Sequence, residues 1–453
     1  MKIWNRCVRG ILALTICIAS AQAQDFKAGV GRVDITPTEP IRLAGYASRS
    51  KPHESIDQRI FTKALALQDG VGATTLIVTA DTIGIPRWFN DELAARIERE
   101  LKVPRAHFLF ANSHSHSTPV IHGGLTAMYD LNEKEAAAVE AYTKDFLQKS
   151  FEAAQAAIKD LQPAKLAFGR SEAFFAGNRR QFGPRGVGFG INPHGPVDRD
   201  VPVLRIDRAD GSLHAVLFGY ACHCTTPGAS QEVSGDWAGY AQAGLEQTYP
   251  GATALFITGC GADANPHPRG SMLLARAHGL QLAGAVARAL SEPMRPVAGP
   301  ISAAFGRAEL PLEKAPGPEY YQAKLTEKAP ATQRYAQRHL DRIARNEKLM
   351  THYPAPLQAL RFGDTFTLVG LSGETCVDYA LRLRRELPDT RLWIAGYCND
   401  IFAYVPSMRI LTEGGYEADA SLIYYDFPTR FAPAVEETLV KKVLELVSET
   451  TPR

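Results

Sequence analysis

The chain has 453 residues, with 50 Lys and Arg against 48 Asp and Glu, and a formal net charge of +2 at pH 7. A balance so close to neutrality, without a long basic run, gives no electrostatic reason to expect a nucleic-acid partner. Hydrophobic residues make up 45% and charged residues 22% of the chain, which is typical of a globular protein. These features favour a small-molecule, lipid-like or glycan-like substrate and leave the oligomeric state open.

The N-terminus has the three regions of a signal peptide. Met1–Arg9 is basic, the apolar run Gly10–Ser20 follows, and Ala21-Gln22-Ala23 supplies a small-x-small cleavage site. The run is too short to span a bilayer, so a membrane anchor would form only if cleavage failed. We predict a signal peptide over residues 1–23, cleavage between Ala23 and Gln24, and a secreted or periplasmic protein. The mature chain, residues 24–453, is expected to form a single domain without a transmembrane segment.

Two of the seven cysteines lie in the predicted signal peptide. The mature chain would keep five, which are Cys222, Cys224, Cys260, Cys376 and Cys398. This odd number does not indicate a disulfide framework, although one or two bridges can form in an oxidising compartment. At least one thiol must then lack an intramolecular partner, and the pairing stays open.

Apolar segments rich in β-branched residues alternate with amphipathic helical patterns along most of the chain, which is typical of α/β architecture. The first unit is a predicted strand Thr75–Ala80, a helix Asn90–Leu101 and a strand His107–Ala111. Further predicted elements are the strands Ala215–Tyr220, Ala254–Ile257, Phe366–Leu371 and Leu392–Ala395 and the helices Glu135–Ala157 and Met272–Leu290. We expect an α/β fold with mixed β-sheets flanked by helices.

Two other segments have distinctive composition. Gly183–Pro196 is rich in glycine and proline, which predicts a long loop that covers a site. Glu319–Lys348 is strongly charged and is predicted to be helical, with a solvated face and no chemical role.

Polar residues follow several of the predicted strands directly. Ligands of α/β sheets bind beyond the carboxyl ends of the strands, where side chains from separate strands converge. We therefore expect the functional site among these segments: Asp81, Asn112–Ser117, Ala221–Thr226, Gly259–Pro266, Ser372–Glu374 and Tyr397–Asp400.

A lone histidine at a strand end is more often a hydrogen-bonded structural residue than a metal ligand. Together, however, His114, His223 and Glu374 supply two imidazoles and one carboxylate, a set that binds zinc and leaves a position for water. Iron enzymes use the same set, so these residues alone do not fix the metal. Cys222 and Cys224 offer a rival thiolate ligation. If His223 ends a strand, alternation directs both cysteines to the opposite face, for packing or a disulfide.

Several motifs occur in a fixed order along the chain. They are Gly31–Pro37 with Ala44–Ala47, Asn112–Ser117, Asn178-Arg179, Ala221–Thr226 with Ser234–Ala241, Ser372–Glu374, and Tyr404 with Tyr416 twelve residues later. In this order they resemble the catalytic domain of the neutral/alkaline (non-lysosomal) ceramidases. The resemblance runs from about Gly29 to Asp426 and implies a neutral-ceramidase-like catalytic domain.

The resemblance also implies a zinc site, with the ligands His114, His223, Glu374 and Tyr404. The tyrosine ligand, which comes only from the resemblance, favours zinc over iron or manganese. Zinc would lower the pKa of a bound water toward ~7 and polarise the scissile carbonyl. Glu374 would offset the charge of the metal and orient the water.

Three further residues are placed around the reacting group by the resemblance. His116 or Tyr416 would donate to the developing oxyanion or to the leaving group, and Arg179 would anchor a polar or anionic group of the substrate. The structural alternatives are that Arg179 is a surface arginine beside Arg180 and that the tyrosines pack in the core.

Two departures from the family pattern affect the expected function. In ceramidases the loop corresponding to Gly261–Pro266 carries a serine that is important for catalysis, and Asn265 takes its position here. An amide cannot act as a nucleophile but can donate a hydrogen bond, so a metal-water route is expected. The sequence also ends soon after the tyrosine segment, and we expect the protein to lack the immunoglobulin-like domain that follows in the family, so the substrate assignment does not transfer directly.

The sequence therefore predicts a secreted zinc-dependent hydrolase that cleaves an amide (N-acyl) bond. One alternative is cleavage of an ester or glycosidic bond at the same site, and another is a catalytically inactive zinc-containing protein that binds lipid or sugar. A metallophosphoesterase would need a bridging carboxylate and a second metal, for which Asp81 and Asp263 are the candidates.

Overall fold

The computed structural model describes residues 26–388 and 391–451. The predicted signal peptide, residues 1–23, lies outside the described residues. Within the described ranges, no helix is both long enough and apolar enough to cross a membrane.

The strands of the described residues are, in chain order, β1 (Phe26–Asp34), β2 (Ser55–Ile56), β3 (Phe61–Gln68), β4 (Thr74–Ala80), β5 (Phe108–Asn112), β6 (Gln162–Glu172), β7 (Ala176–Asn178), β8 (Arg180–Gly183), β9 (Gly186–Phe189), β10 (Asp200–Arg208), β11 (Leu213–Tyr220), β12 (Glu232–Val233), β13 (Thr253–Thr258), β14 (Ala264–Pro266), β15 (Arg295–Pro296), β16 (Ile301–Pro311), β17 (His352–Phe362), β18 (Phe366–Leu371), β19 (Glu374–Thr375), β20 (Leu392–Ala395) and β21 (Tyr404–Val405).

The α-helices of the same residues are α1 (Arg87–Leu101), α2 (Glu133–Lys159), α3 (Asp236–Thr248), α4 (Met272–Ser291), α5 (Pro318–Lys324), α6 (Pro330–Ala344), α7 (Val377–Glu386), α8 (Met408–Glu413) and α9 (Val435–Glu449). Short 3-10 helices cover Arg105–His107 and Ala420–Ile423.

The predicted strands and long helices agree closely with these elements. The helix predicted to start at Asn90 begins at Arg87, directly after Pro86. Proline lacks the N–H that a helix interior requires, so the helix starts after it. The charged segment Glu319–Lys348 is helical as predicted, because it contains most of α5 and all of α6.

The predicted loop Gly183–Pro196 differs in part from the structure. Strands β8 and β9 form a hairpin in which Gly183 pairs with Gly186 across the turn Pro184-Arg185. Gly186 has a φ of +95°, a backbone conformation that glycine adopts without strain. The glycine and proline residues of the predicted loop therefore mark a tight turn in the first half of the segment.

Both main sheets are mixed, as the sequence predicted. In the described part of the chain, a nine-stranded sheet has the order β13-β11-β10-β6-β1-β3-β4-β5, with β15 paired to β6. A second sheet has the order β16-β17-β18-β20. The pairs β11 with β13, β4 with β5, and β18 with β20 are parallel.

The two sheets pack face to face. Leu65 and Leu217 of the large sheet share one core with Leu360 and Trp393 of the small sheet. Helices α1 to α4 cover the outer face of the large sheet, and α7 and α9 cover the outer face of the small one. The layers are therefore helices, sheet, sheet and helices.

Strand β11 illustrates why the sequence is apolar at successive positions. Ala215 and Leu217 face the core between the sheets, whereas Val216 and Phe218 face the helices. All four side chains are buried. Because successive side chains of a strand point to opposite faces and both faces are covered, neither face needs polar residues.

The edges of the large sheet approach each other at the carboxyl ends of β5 and β13. Thr258 Oγ1 donates to Asn112 O over 2.8 Å. Beyond these strands, Ser115 forms a parallel bridge with Cys224, and His116 N donates to Cys224 O over 3.0 Å. The segments that follow β5 and β11 therefore lie side by side, although the two strands are near opposite ends of the sheet order.

Candidate metal centre

His114 follows β5 and is fixed by its backbone and by a hydrogen bond. Its φ of 58° is in the left-handed region, which is uncommon for a residue other than glycine. Its Nδ1 lies 2.6 Å from Ile83 O. A carbonyl oxygen only accepts hydrogen bonds, so Nδ1 carries the proton. The nitrogen that can offer a lone pair to a ligand is therefore Nε2.

His223 follows β11 and is held in the same way. Its Nδ1 lies 2.8 Å from Gly261 O, and its backbone N donates to Ala264 O over 3.1 Å. Burial, followed by the nearby charge of Arg179, lowers the pKa of His223 to about 4. The ring is therefore neutral at neutral pH, with its lone pair on Nε2.

Glu374 follows β18 after a glycine that the backbone requires. Gly373 has a φ of +74°, and a Cβ at this position would lie 2.7 Å from the Val405 side chain and 2.9 Å from Ala403 O. Strands β19 and β21 pair Glu374 with Tyr404. The carboxylate and the phenol ring thus enter the site from neighbouring short strands.

The ligating atoms of these residues converge. Glu374 Oε2 lies 3.1 Å from His114 Nε2 and 3.2 Å from His223 Nε2. Tyr404 Oη lies 3.1 Å from His223 Nε2.

This arrangement fits a metal cation. With the protons of both histidines on Nδ1, neither Nε2 can donate to Glu374 Oε2, and that buried oxygen has no hydrogen-bond partner in the described residues. Electron pairs on two nitrogens and one oxygen face a common centre, and a cation at that centre would stabilise all three. Imidazole nitrogen and carboxylate oxygen are the donors that zinc binds, so the residues present fit this ion.

His116 is the third imidazole of the cluster. Its Nε2 lies 3.1 Å from His114 Nε2, and one ligand atom from each of His114, His116 and His223 lies within 4.8 Å of the others. Gly45 approaches the ring so closely that an added Cβ would lie 2.2 Å from His116 Nδ1. A larger residue than glycine at position 45 would therefore displace the imidazole.

Arg179 is buried beside the cluster, so the alternative of a surface arginine is wrong. Its side chain is 5% exposed, and its Nε donates to Glu417 Oε1 over 2.8 Å. Its Nη2 donates to Tyr404 Oη over 3.1 Å and its Nη1 to Asn265 Oδ1 over 3.3 Å. The guanidinium carbon also lies 5.8 Å from the centre of the Tyr416 ring. The arginine thus connects the other predicted site residues.

Two residues that no sequence motif indicated also contact this site. Glu417 accepts from both Arg179 and Arg180. Tyr425 donates to Glu374 Oε1, the carboxylate oxygen that faces away from the histidines. Glu417 directly follows Tyr416 in the chain, but neither Glu417 nor Tyr425 has a spacing to other residues that indicates a role.

Replacing Tyr425 by phenylalanine is expected to weaken metal binding. Partners of metal ligands orient them, and their loss typically costs ~10–100-fold in metal affinity. The Tyr425 ring also lines a cavity of about 610 Å³, from which water can replace the lost hydroxyl. We therefore expect a loss near ~10-fold, measured by competition with a chelator for the bound metal.

The matched control for this prediction is Tyr424→Phe. The Tyr424 ring lies 6.4 Å from Tyr416, and Tyr424 is a direct neighbour of Tyr425 in sequence. This variant removes a hydroxyl without touching the carboxylate, so its metal affinity should equal that of the wild type. An unchanged affinity in Tyr425→Phe would contradict the positioning role.

The cysteines are not placed as metal ligands. All five in the described residues are buried free thiols: Cys222, Cys224, Cys260, Cys376 and Cys398. The two that flank His223 pack in the core with Trp237 and Phe256, as the alternation of side chains predicted. Burial raises the pKa of both thiols well above the usual range, which disfavours the thiolate form.

The two aspartates that could have bound a second metal are engaged elsewhere. Asp81 accepts from the backbone N of Phe61 and from Gln242 Nε2, each over 3.0 Å. Asp263 accepts from Val377 N over 2.9 Å and from Arg409 Nη2 over 3.3 Å. These contacts satisfy the carboxylates without an ion.

Comparison with known proteins agrees with the motif order. The family model described as "Neutral/alkaline non-lysosomal ceramidase, N-terminal" matches residues 26–274, more than half of the chain. Neutral ceramidase B of Dictyostelium discoideum is 25% identical over 284 residues, which are 56% of this chain and 37% of that protein. The matched region thus spans little more than a third of the length of that curated relative.

Solved structures have the same fold. A crystal structure of neutral ceramidase from Pseudomonas aeruginosa has a TM-score of 0.72 at 20% identity and covers 93% of this chain and 74% of that chain. A ceramidase complexed with C2 has a TM-score of 0.71 at 19% identity, with coverages of 95% and 76%. At these identities the likeness establishes the fold, and the family follows from the family match. The chain belongs to the neutral/alkaline non-lysosomal ceramidase family.

Proposed function

We propose that the protein is an exported, zinc-dependent hydrolase that cleaves the N-acyl amide bond of ceramide or of a related acyl compound. The observation that carries this proposal is the convergence of two imidazole nitrogens and one carboxylate oxygen on a common centre. Membership of the ceramidase family supports the amide bond as the target. The predicted signal peptide over residues 1–23 supports export.

The proposed ligands are His114, His223, Glu374 and Tyr404. Zinc bound there would polarise a substrate carbonyl and lower the pKa of a water molecule toward ~7. The protein's own contribution is to fix the donors before the ion arrives. Each histidine is held by a backbone carbonyl, and Glu374 is held by Tyr425.

Around this centre the chain supplies polar groups for the substrate. His116 lies beside His114, and the Tyr416 ring lies 5.3 Å from the Tyr404 ring. We propose that His116 and Tyr416 hydrogen-bond the reacting carbonyl or the leaving amine. Arg179 forms an ion pair with Glu417, and we propose that its main role is to hold Tyr404. Its remaining N–H groups are proposed to bind a polar group of the substrate.

Among the alternatives, an inactive binding protein is disfavoured by the same residues. His116, Arg179 and Tyr416 all lie within contact distance of the proposed ligands, and a protein that only stores zinc or lipid has no need of them there. Cleavage of an ester or a glycosidic bond uses the same groups and is distinguished by assay. A phosphoesterase with two metals is disfavoured because Asp81 and Asp263 have other partners.

The test is elemental analysis of the purified wild type, followed by assays of the same sample. The substrates are a short-chain N-acyl sphingosine and a panel of simple amides, esters and glycosides. We expect about one zinc per chain, and hydrolysis of the N-acyl substrate that stops with a chelator and returns with zinc. Absence of zinc would contradict the proposal, and bound zinc without any turnover would favour the binding protein.

A further inference from the structure

Asn265 occupies a position that is fixed by its neighbours on both sides. It lies in β14, opposite Gly177 of β7. The residue before it, Ala264, accepts from the backbone N of His223 over 3.1 Å. The backbone of Asn265 is therefore one residue from a direct contact with a proposed metal ligand.

The orientation of the Asn265 amide follows from the chemistry of its partners. Its Oδ1 accepts from Arg179 Nη1 and from Thr225 Oγ1, each over 3.3 Å. A guanidinium only donates hydrogen bonds, so the atom that faces it must be the oxygen. Asn265 Nδ2 therefore makes no hydrogen bond to Arg179.

These N–H groups are available to a ligand. Asn265 is partly exposed, and Nδ2 donates to no acceptor in the described part of the chain. Arg179, which holds the amide, also donates to Tyr404 Oη, and that oxygen lies 3.1 Å from His223 Nε2. Asn265 and the proposed ligand Tyr404 therefore share Arg179 as a hydrogen-bond donor.

We propose that Asn265 Nδ2 donates a hydrogen bond to the substrate carbonyl oxygen as negative charge develops on it during attack by water. This inference rests on the proposed hydrolytic function and assigns a role to one more residue of the same site. Because Glu417 neutralises Arg179, the arginine aligns the amide without itself being the charge that the oxyanion meets. A hydrogen-bond donor that is held in place before the reaction needs little reorganisation when charge develops on the substrate oxygen. Removing one such donor typically lowers kcat ~100–1000-fold.

The first experiment compares kcat, KM and zinc content of the wild type, Asn265→Ala, Asn265→Asp and Thr225→Val. Asn265→Asp keeps the shape and the contact with Arg179 but replaces the donor by an acceptor. We expect a fall of at least ~100-fold in kcat for both Asn265 variants, with KM and zinc content near wild type. Thr225→Val keeps the N–H groups and loses one hydrogen bond to Oδ1, so a loss of only ~2–5-fold is expected.

The second experiment is calorimetric titration of the zinc-loaded wild type and Asn265→Ala with hexylphosphonate, a tetrahedral anion. We expect at least ~10-fold weaker binding by Asn265→Ala, because a hydrogen bond to a charged group is lost. This readout requires no turnover.

The outcomes separate the two proposals. A wild type that hydrolyses none of the substrates, yet loses phosphonate affinity in Asn265→Ala, would overturn the proposed function and support the donor role. An active wild type with Asn265→Asp within ~3-fold in kcat, or with unchanged phosphonate affinity in Asn265→Ala, would overturn the donor role. Loss of zinc in Asn265→Ala would also overturn it, since the residue would then be structural.

Discussion

His114→Ala is expected to lose the bound zinc and to lower hydrolysis at least ~1000-fold. The substitution removes one of four proposed ligands, and the remaining His223 and Glu374 are held in fixed positions that do not close around the gap. Loss of a residue that only orients a ligand costs ~10–100-fold in metal affinity, so loss of the ligand itself should cost more. Zinc per chain by elemental analysis and turnover of the N-acyl substrate are measured on the same samples.

The control for this prediction is a second buried histidine. His278 packs on Phe175, and its Nε2 lies 2.7 Å from Pro268 O, so it resembles His114 in burial and in bonding to a carbonyl. His278→Ala should lower stability through lost packing but keep about one zinc per chain. Retention of zinc and turnover by His114→Ala would rule out the proposed metal centre.

His114, His223 and Glu374 were accessible from the sequence because each follows an apolar run. The strands predicted before His114, His223 and Glu374 are present as β5, β11 and β18. Period-two patterns and strand lengths are local properties, so they can be read from the residues themselves. No such pattern indicated Arg179, Tyr404 or Tyr416, which entered only through the family resemblance.

Long-range geometry was the part that the sequence did not predict. No local pattern indicates that the edges of the large sheet meet, as the contact between Thr258 and Asn112 requires. The same holds for Tyr425, whose hydroxyl reaches a carboxylate 51 residues earlier in the chain. Such contacts depend on the packing of whole elements, and a single sequence carries no local signal for them.

The burial of Arg179 also depended on distant residues. Adjacent arginines usually indicate an exposed segment, because an unpaired guanidinium is costly to bury. Here Glu417, which is more than 200 residues away, accepts from both Arg179 and Arg180 and makes their burial possible. The negative charge that compensates the two arginines is therefore found only in the folded structure, where Glu417 lies beside them.

Glu417→Gln is expected to destabilise the folded protein strongly. Arg179, Arg180 and Glu417 have side chains that are 5%, 1% and 2% exposed, so the ion pairs are shielded from water. Removing one partner of a buried pair leaves an uncompensated charge and typically costs ~3–5 kcal/mol. The free energy of unfolding is measured by urea denaturation of the metal-free proteins, so that loss of zinc does not contribute.

The pH dependence of this effect provides a second readout. Burial alone would raise the pKa of Glu417, but Arg179 and Arg180 lower it below its usual value. A carboxylate with a depressed folded-state pKa contributes stability above the pKa of the unfolded chain, ~4.3, and loses it as the pH falls through the folded-state value. The difference between wild type and Glu417→Gln should therefore be constant from pH 7 to 5 and shrink only below about pH 4.

Glu413→Gln is the matched control, because Glu413 also pairs with Arg180 but is 19% exposed. In this variant Glu417 still contacts both arginines, and the carboxylate that is lost is in contact with water, so a loss of about 1 kcal/mol or less is expected. Equal losses in the two variants would mean that burial does not set the strength of the Glu417 pairs. A Glu417→Gln protein as stable as the wild type would contradict the assignment of Glu417 as the charge that keeps Arg179 inside the site.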